Sequence, residues 1–508
     1  MPPKTAGGLD SRFLRTCFVF VLLLSLGIHI LAGSSVLSAQ SKWDKPALDW
    51  EMPFMAHEFD HAIQVTAESH ASGEHTLQDA LDEVPEEGAV IELGEGEFYI
   101  DNVSTPENRP LKITGKGSDT LLKAEGHFAL TLGATAYIEL SDIRFEGEGH
   151  HYGVQIDGAA YENMIFRDLQ FSNYGRSALH GAAANGPITG LLVTGCEFTD
   201  AGAGANFRIG GDSRYLEISN NIFIDIETRP VTVGNGDTRY ARITGNHIEG
   251  VGPGRHPIGI LSYTPNTLIE NNTIKDLYNE DGSRQEAISS RGSNTIIRNN
   301  EMVNAGGRTA AISLAGAGPT TIEGNVIRFT EEHRSNERDG MDLRQAKVHA
   351  EGNTLMGTRR GITSRRGIKD MVIKKNIIRE SKYQSSAVRI CISTGAEIPK
   401  AHMSGLTISG NKVASITREE DPGEFTGILF RPINHAGDHD TRMEEIVIAN
   451  NTFIDIKVAE GSRGVGFTGL DRATSHMKNV KIERNNFGDM DERVCALKQL
   501  VENLSISD

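Results

Sequence analysis

One tyrosine and four arginines recur at the same position of short apolar segments. Tyr263, Arg291, Arg344, Arg365 and Arg431 each come three residues after the first apolar residue of such a segment. If each segment forms a strand of a stacked sheet, neighbouring copies lie about 4.8 Å apart and their side chains form columns. The third position contains, in chain order, Asp157, Ala182, Gly210, Gly234, Tyr263, Arg291, Ala315, Arg344, Arg365, Cys391 and Arg431, and the first position adds His180, Arg208, Asp342 and Arg389.

The chemistry of such a column is anion binding. Stacked arginines repel one another unless an anion or a carboxylate compensates their charge, and the planar guanidinium group pairs well with carboxylate or sulfate. On a chain with a net charge of −17, the column predicts a groove for an acidic polysaccharide. The alternative is a solvated strand face, where arginine is common. The predicted substrate contacts are Arg365, Arg389, Arg431, Arg208, His180, Asp339 and Asp342.

The segment 285–300, QEAISSRGSNTIIRNN, resembles the chondroitinase B and alginate lyase family of polysaccharide lyases. In that family of right-handed β-helices, a Glu is followed by a Ser, a catalytic Lys and an Asn-Asn corner. The resemblance implies that Glu286 binds a calcium ion and that Arg291 occupies the position of the catalytic lysine. The family's catalytic arginine falls near Ala315, and Arg344 lies one segment later in the same column.

β-Elimination on a uronate requires a positive group for the developing enolate, a base for the C5 proton and an acid for the leaving O4. Arg291 is predicted to be the base or the enolate stabiliser. Arg344 and Arg365 are predicted to clamp the carboxylate. Because an arginine gives up its proton only with difficulty, Tyr263 or His256 is the alternative proton-transfer residue.

Three other functions compete with the lyase. Asp339 and Asp342 lie beside Arg344, and a pair of carboxylates would fit a glycoside hydrolase. Gly437-Asp438-His439-Asp440 resembles the Asp-Pro-His-Asp motif of periplasmic mannuronan C5-epimerases, without its proline. A surface protein that binds polysaccharide without cleaving it is the third alternative.

The elements that must position these residues repeat along the chain. From residue 140 onward an apolar residue, two variable residues, an Asn, one variable residue and an apolar residue recur, mostly 23 to 28 residues apart. This period predicts an all-β, single-stranded right-handed parallel β-helix (solenoid) of about thirteen coils. The asparagines are predicted to adopt the left-handed conformation at a corner and to hydrogen-bond to one another. They are Asn221, Asn246, Asn272, Asn300, Asn325, Asn353, Asn376, Asn411, Asn451 and Asn485, with Ile143, Leu169 and Cys196 in the earlier copies.

The ends of the solenoid also have sequence signatures. Residues 76–85 predict an N-terminal cap helix that begins at Thr76 and stops at Pro85. Residues 494–504 are predicted to form a second cap, and residues 40–74 are interpreted as an N-terminal extension. The predicted β-helix therefore covers residues 75–508.

The N-terminal residues predict export. Lys4, Arg12 and Arg15 precede an uncharged apolar run and small residues, so residues 1–39 are interpreted as a signal peptide or a signal anchor. The protein is expected to be secreted, periplasmic or at the cell surface, with a membrane tether as the alternative to cleavage. The acidic net charge argues against nucleic acid as a partner. Cys196, Cys391 and Cys495 have neither disulfide-framework nor zinc-ligand spacing and are predicted to be small buried residues.

Overall fold

The computed structural model describes residue 51 and most of residues 57–508. The signal segment 1–39 lies outside the described residues, and the gaps after residue 57 are 150, 158–159, 182–185, 210, 236, 280–284, 308, 317, 331–337, 346, 366–367, 382–385, 395–399, 419–423, 435–439, 459–460, 468–474, 496–500 and 508. Within the described part, no helix has the length and apolar character needed to cross a bilayer.

The strands form three parallel sheets, because each strand pairs with the equivalent strand of the preceding and following turns. Sheet 1 contains β1 Ala62–Val65, β2 Ala89–Leu93, β5 Leu111–Ala124, β7 Ile138–Glu146, β9 Tyr161–Arg167, β11 Ile188–Thr194, β13 Arg214–Ser219, β15 Arg239–Thr244, β18 Thr267–Glu270, β21 Thr295–Arg298, β24 Thr320–Glu323, β27 Val348–Glu351, β30 Lys369–Lys374, β33 Lys400–Ser409, β36 Asp440–Ala449, β39 Ser475–Glu483 and β41 Val501–Ser507.

Sheet 2 follows sheet 1 around the first corner. It contains β3 Gly96–Ile100, the ends of β5 and β7, the beginnings of β10 Gln170–His180, β12 Glu197–Phe207 and β14 Ile222–Val233, and then β16 His247–Val251, β19 Thr273–Leu277, β22 Glu301–Val303, β25 Val326–Arg328, β28 Thr354–Met356, β31 Ile377–Ser381, β34 Lys412–Arg418 and β37 Thr452–Val458.

Sheet 3 closes each turn and carries the predicted site. It contains β4 Val103–Ser104, β6 Phe128–Leu132, β8 Tyr152–Ile156, the ends of β10, β12 and β14, and then β17 Ile258–Ser262, β20 Glu286–Ser290, β23 Ile312–Leu314, β26 Asp339–Leu343, β29 Arg360–Arg365, β32 Ser386–Thr394, β35 Phe425–Asn434, β38 Ser462–Phe467 and β40 Glu492–Cys495. The described chain makes about fourteen turns, close to the predicted thirteen.

The solenoid interior is a stack of apolar side chains in register. In sheet 2, the rings of Phe145, Phe171, Phe198 and Phe223 stack with centroid separations of 4.9, 5.2 and 4.7 Å. All four are buried. Each turn therefore places its apolar residues directly over those of the previous turn, as the repeat predicts.

The predicted asparagine ladder is present at the corner between sheets 1 and 2. The Asn300 side-chain amide donates to Asn325 Oδ1 at 2.9 Å and to the Ile269 carbonyl at 3.0 Å, while its Oδ1 accepts from the Asn272 amide at 2.9 Å. The same pattern links every successive pair from Asn221 to Asn485. At the N-terminal end, the Cys196 backbone N–H donates to Asn221 Oδ1.

The predicted backbone conformation of these asparagines is wrong by one residue. The left-handed conformation belongs to the residue before each ladder asparagine, as at Asn271 with φ 55° and Asn299 with φ 54°. At Gly324, φ is 65°, and an added Cβ would lie 2.7 Å from Asn299 Oδ1. The preceding residue makes the corner, and the ladder asparagine can then turn its amide inward.

The N-terminal end of the solenoid begins before residue 75. Strand β1 pairs with β2 in parallel register, followed by helix α1 Ala67–Ser72, so part of the segment 40–74 extends sheet 1. Helix α2 Leu77–Asp82 is the predicted N-terminal helix. The Thr76 side chain accepts from the Asp79 backbone N–H, and the helix buries Leu77, Ala80 and Leu81.

The C-terminal end differs from the prediction. Within the segment predicted as a second cap, β40 pairs with β38 and β41 pairs with β39, both in parallel. These residues therefore continue the sheets by another turn. Asn503 has a left-handed φ of 60°, and on either side of it Val501 and Leu504, three residues apart, both pack against the core at the end of sheet 1.

Candidate functional site on the outer surface of sheet 3

Two columns of side chains line the outer surface of sheet 3. Residues such as Ile288, Ile312 and Met341 point into the core. Because successive side chains of a strand point to opposite faces, the residue after each of them points outward. We define the middle column as His180, Asn206, Thr232, Leu261, Ser289, Ser313, Asp342, Thr363 and Arg389. We define the edge column as Arg208, Gly234, Tyr263, Arg291, Ala315, Arg344, Arg365, Cys391 and Arg431.

The structure moves Arg208 from its predicted column. Strand pairing aligns Asn206, not Arg208, with His180 and Thr232. The Gly234 backbone N–H donates to the Phe207 carbonyl at 2.8 Å. Arg208 therefore lies in the edge column beside Gly234, where the sequence alignment had placed Gly210. The sequence offers Phe207 as the first apolar residue of this strand, but strand pairing aligns Ala205 with Leu179 and Val231 and gives Ala205 that place.

Arg208 and Arg291 flank the ring of Tyr263. The Arg208 guanidinium carbon lies 5.6 Å from the ring centroid and that of Arg291 lies 5.0 Å from it. Arg291 Nη1 also donates to the Tyr263 hydroxyl at 3.3 Å. Gly234 has no side chain between Arg208 and Tyr263. Both arginines are exposed, and no acidic side chain of the described chain pairs with either of them.

Arg344 belongs to the same column but is held differently. Its Nε donates to Asp342 Oδ2 at 2.7 Å, and its Nη2 lies 2.5 Å from the same oxygen. Asp342 is fully buried. Arg344, predicted to clamp a substrate carboxylate, therefore already pairs with a carboxylate of the protein. Ala315 lies between Arg291 and Arg344 in the column, so these two arginines are two turns apart.

The two acidic residues considered for a hydrolase are both buried and paired. Asp339 is fully buried, and its carboxylate accepts from Arg359 Nε at 3.1 Å and from Arg360 Nε at 2.9 Å. Asp342 pairs with Arg344. A general acid in a glycosidase needs access to the glycosidic oxygen, and neither carboxylate offers a free, solvent-facing oxygen of that kind.

Glu286 and His256 lie at the opposite edge of sheet 3 from Arg291. Strand β20 separates Glu286 from Arg291 by five residues, about 17 Å of extended chain, and the Glu286 backbone N–H donates to the Pro257 carbonyl beside His256. The residues predicted to act together with Arg291 therefore divide into two groups. Tyr263 lies beside Arg291, and His256 and Glu286 do not.

The described surroundings of Glu286 do not supply a calcium ligand set. Calcium takes six to eight oxygen ligands, several of them carboxylates. Next to Glu286, the Gln285 side-chain oxygen accepts from the Arg338 guanidinium at 3.0 Å. The described residues contain no group of three or more His, Cys, Asp or Glu that could hold a metal ion.

The remaining predicted contacts lie further along the solenoid. Arg389 is half-buried in the middle column, and its Nε is buried without a hydrogen-bond partner. Arg431 is exposed in the edge column, next to the buried Cys391. Arg365 ends β29, and its side chain lies outside the described part of the structure. Of the epimerase-like segment, only Asp440 is described, as the first residue of β36.

Burial reveals four site residues that the sequence did not single out. Asn206, Thr232 and Arg229 each have a buried polar side-chain atom without a hydrogen-bond partner, and Tyr152 contacts the ring of His180 at 4.5 Å. Correct strand alignment would have placed Asn206 and Thr232 beside His180. No sequence pattern marks Arg229 or Tyr152.

The comparisons with known proteins support this architecture. A family model described as "Right handed beta helix region" matches residues 231–417. The chain contains a right-handed β-helix. Among curated proteins, none is similar enough in sequence to count as a relative.

Several solved structures resemble the chain at low identity. A mannuronic acid specific polysaccharide family 6 lyase from human gut microbiota is 12% identical, covering 88% of this chain and 91% of that chain, with a TM-score of 0.38. A periplasmic alginate epimerase is 12% identical over 74% of this chain and 83% of that chain, with a TM-score of 0.40. A GH87 α-1,3-glucanase from Streptomyces thermodiastaticus is 13% identical over 81% and 65%, with a TM-score of 0.42. At these values the likeness concerns the fold alone.

Proposed function

We propose that the outer surface of sheet 3 binds an acidic, uronate-containing polysaccharide and cleaves it by β-elimination around Tyr263. The observation that carries the proposal is the stack of Arg208 and Arg291 on Tyr263. It presents two exposed guanidinium groups, without acidic partners among the described residues, on a chain whose net charge is −17. Like charges at this spacing favour an anionic ligand between or beside them.

The arrangement assigns different roles to the arginine and the tyrosine. A solvent-exposed guanidinium keeps its proton, so Arg291 suits the carboxylate and the enolate-like charge that develops on it. The Tyr263 hydroxyl, which accepts from Arg291 Nη1, is the group that can transfer a proton. Of the two roles predicted for Arg291, the arrangement supports enolate stabilisation over that of a base.

In the proposed step, the proton removed from the substrate is returned to the leaving group. Tyr263 enters the step as the phenolate, beside the Arg291 guanidinium. Its oxygen takes the proton from C5, the electron pair of that bond forms the C4–C5 double bond, and the C4–O4 bond breaks. The same proton passes to the departing O4. Arg291 stabilises the negative charge on the uronate carboxylate during the transfer, and Arg208 holds the same or the adjacent acidic unit.

The test is an absorbance assay with alginate, chondroitin sulfate, dermatan sulfate and pectate as substrates. β-Elimination creates a C4–C5 double bond that absorbs near the ultraviolet limit, whereas hydrolysis and binding do not. We expect Tyr263→Phe to lower turnover by about 10²-fold or more, as expected for loss of proton transfer, with affinity for the polymer retained. An active wild-type protein with an equally active Tyr263→Phe variant would exclude Tyr263 as the proton-transfer residue.

Arg291 provides a second, independent test. Arg291→Ala should abolish turnover because the enolate loses its positive partner. Arg291→Lys restores the residue of the lyase family and a positive charge, so it should keep measurable activity. Release of reducing ends by the wild type without ultraviolet absorbance would replace β-elimination by hydrolysis, and binding without either product would indicate a polysaccharide-binding protein.

A further inference from the structure

Four polar side chains on three adjacent turns of sheet 3 have unsatisfied buried atoms. His180 Nδ1, Asn206 Oδ1, Thr232 Oγ1 and Arg229 Nε are all buried and without a hydrogen-bond partner. His180, Asn206 and Thr232 follow one another in the middle column, and Arg229 lies three residues before Thr232 on the same strand. They form one contiguous patch next to the Arg208–Tyr263–Arg291 stack.

Such a patch is costly in the free protein. Each buried polar atom without a partner is destabilising, because it has lost its hydrogen bonds to water without gaining one in the protein. Thr232 is 1% exposed, and its strand neighbours Val231 and Val233 belong to the core, so its hydroxyl faces the outer surface. The Asn206 side-chain amide donates to Ser177 Oγ at 3.4 Å, which leaves its carbonyl oxygen as an open acceptor. These donors and acceptors match the hydroxyl groups of a sugar.

Arg229 adds a positive charge to the patch. It is half-buried, and its guanidinium Nε is buried without a hydrogen-bond partner. Among the described residues, no acidic side chain pairs with it. Burial lowers the pKa of His180, so near neutral pH its ring offers one donor and one acceptor. Arg229 therefore supplies the charge of the patch, and a carboxylate or sulfate is the group that would balance it.

An aromatic surface borders the patch. Tyr152 lies on the turn before His180 and contacts its ring at a centroid separation of 4.5 Å. The ring of Phe128, one further turn away, stacks on Tyr152 at 5.2 Å. Tyr152 is half-buried. Aromatic side chains with one apolar face and a polar tip suit ligands that are themselves part apolar and part polar, as pyranose rings are.

We infer that His180, Asn206, Thr232 and Arg229, beside Tyr152, form a second sugar-binding subsite for an anionic unit of the same polymer. This inference rests on the proposed binding of an acidic polysaccharide, but it does not require β-elimination. From Tyr152 to Leu261, next to Tyr263, the surface spans four turns, about 19 Å. The polymer therefore runs parallel to the solenoid axis, from the Tyr263 stack towards the N-terminal turns.

The test uses isothermal titration calorimetry with hexasaccharides of alginate, chondroitin sulfate and pectate. In the background of Tyr263→Phe, in which turnover should be about 10²-fold slower or more, we expect Thr232→Val and Arg229→Gln each to weaken binding of the preferred hexasaccharide about tenfold. Thr232→Val is isosteric and removes an unsatisfied hydroxyl, so its melting temperature should stay equal or rise. A purely structural role of the hydroxyl would lower the melting temperature instead.

Thr321→Val is the matched control. Thr321 is also fully buried with an unsatisfied hydroxyl, but it lies in β24 of sheet 1. Its replacement should leave hexasaccharide affinity unchanged. Equal affinities of Thr232→Val, Arg229→Gln and their parent would overturn the subsite.

The outcome also separates the subsite from the lyase proposal. Weakened binding by both variants, together with a wild type that forms no ultraviolet-absorbing product, supports the subsite and excludes β-elimination. Formation of the ultraviolet-absorbing product by the wild type, with unchanged affinities of both variants, supports β-elimination and excludes the subsite. A wild type that binds none of the acidic hexasaccharides overturns both.

Discussion

Two arginines of the edge column differ in what balances their charge. Arg344 pairs with the fully buried Asp342, whereas Arg291 lies over the ring of Tyr263 and donates to its hydroxyl, with no acidic partner among the described residues. A buried ion pair is strongly destabilised when one partner is removed, because the other charge keeps its desolvation cost. An exposed cation without such a partner can be replaced at little cost. Although the two residues occupy the same column, Arg344 therefore belongs to an internal ion pair, and Arg291 is the one placed to bind a ligand.

This difference predicts stability losses of different size for the same substitution. Arg344→Ala should lower the free energy of unfolding by about 3 kcal/mol, and Arg291→Ala should change it by no more than about 0.5 kcal/mol. Urea denaturation of the two variants measures both values. Equal stability losses would mean that the Arg344–Asp342 pair does not hold this turn together.

At the scale of elements, the ladder and the corner residues before it hold sheets 1 and 2 in register. Each internal ladder asparagine accepts two hydrogen bonds from one neighbour, from its backbone N–H and its side-chain amide, and donates the same two to the next. Asn485, at the C-terminal end of the ladder, accepts from Asn451, and its side-chain amide donates to the backbone carbonyls of Ile448 and Glu483 in place of a further ladder asparagine among the described residues.

Position in the ladder should therefore determine the cost of losing an asparagine. Asn300→Ala leaves ladder groups unpaired on both sides and should cost roughly 1–3 kcal/mol of unfolding free energy. Asn485→Ala, the matched control, should cost less because only one ladder neighbour loses its partner. Thermal melting of both variants distinguishes them, and a larger loss for Asn485→Ala would show that the ladder does not act cooperatively.

At the scale of the whole molecule, a cationic patch lies on an acidic protein. The chain has a net charge of −17, so long-range repulsion opposes an acidic polymer except near the exposed arginines. Salt screens both the repulsion and the local attraction over about 8–10 Å. The salt dependence of binding therefore reports how many arginines contact the polymer.

We expect Arg208→Ala combined with Arg291→Ala to weaken binding of the acidic polymer and to reduce its dependence on salt. The control replaces Arg214 and Arg239 with alanine. These two exposed arginines pair in register on adjacent turns of sheet 1, so the change in net charge is the same. Calorimetric titrations at several salt concentrations compare the variants, and equal effects of both pairs would place the binding surface outside sheet 3.

The sequence by itself determined the solenoid. Its repeat places one asparagine and its apolar neighbours at the same point of every turn, and parallel stacking is the arrangement that lets each asparagine meet the next. The same periodicity correctly placed Tyr263, Arg291 and Arg344 in one column, because strands of similar length keep their register. It failed at Arg208, where a shifted apolar residue moved the alignment by two positions.

Only the tertiary structure decided which of these side chains are available. Arg291 and Arg344 look equivalent in the sequence, yet Asp342 pairs with only one of them, because this pairing depends on side-chain direction and burial. The separation of His256 and Glu286 from Tyr263 by the length of a strand also required the sheet. The unsatisfied atoms of Thr232 and Arg229 also required the tertiary structure. The sequence shows which hydrogen bonds a polar side chain can make, but only its surroundings show which of them remain unmade.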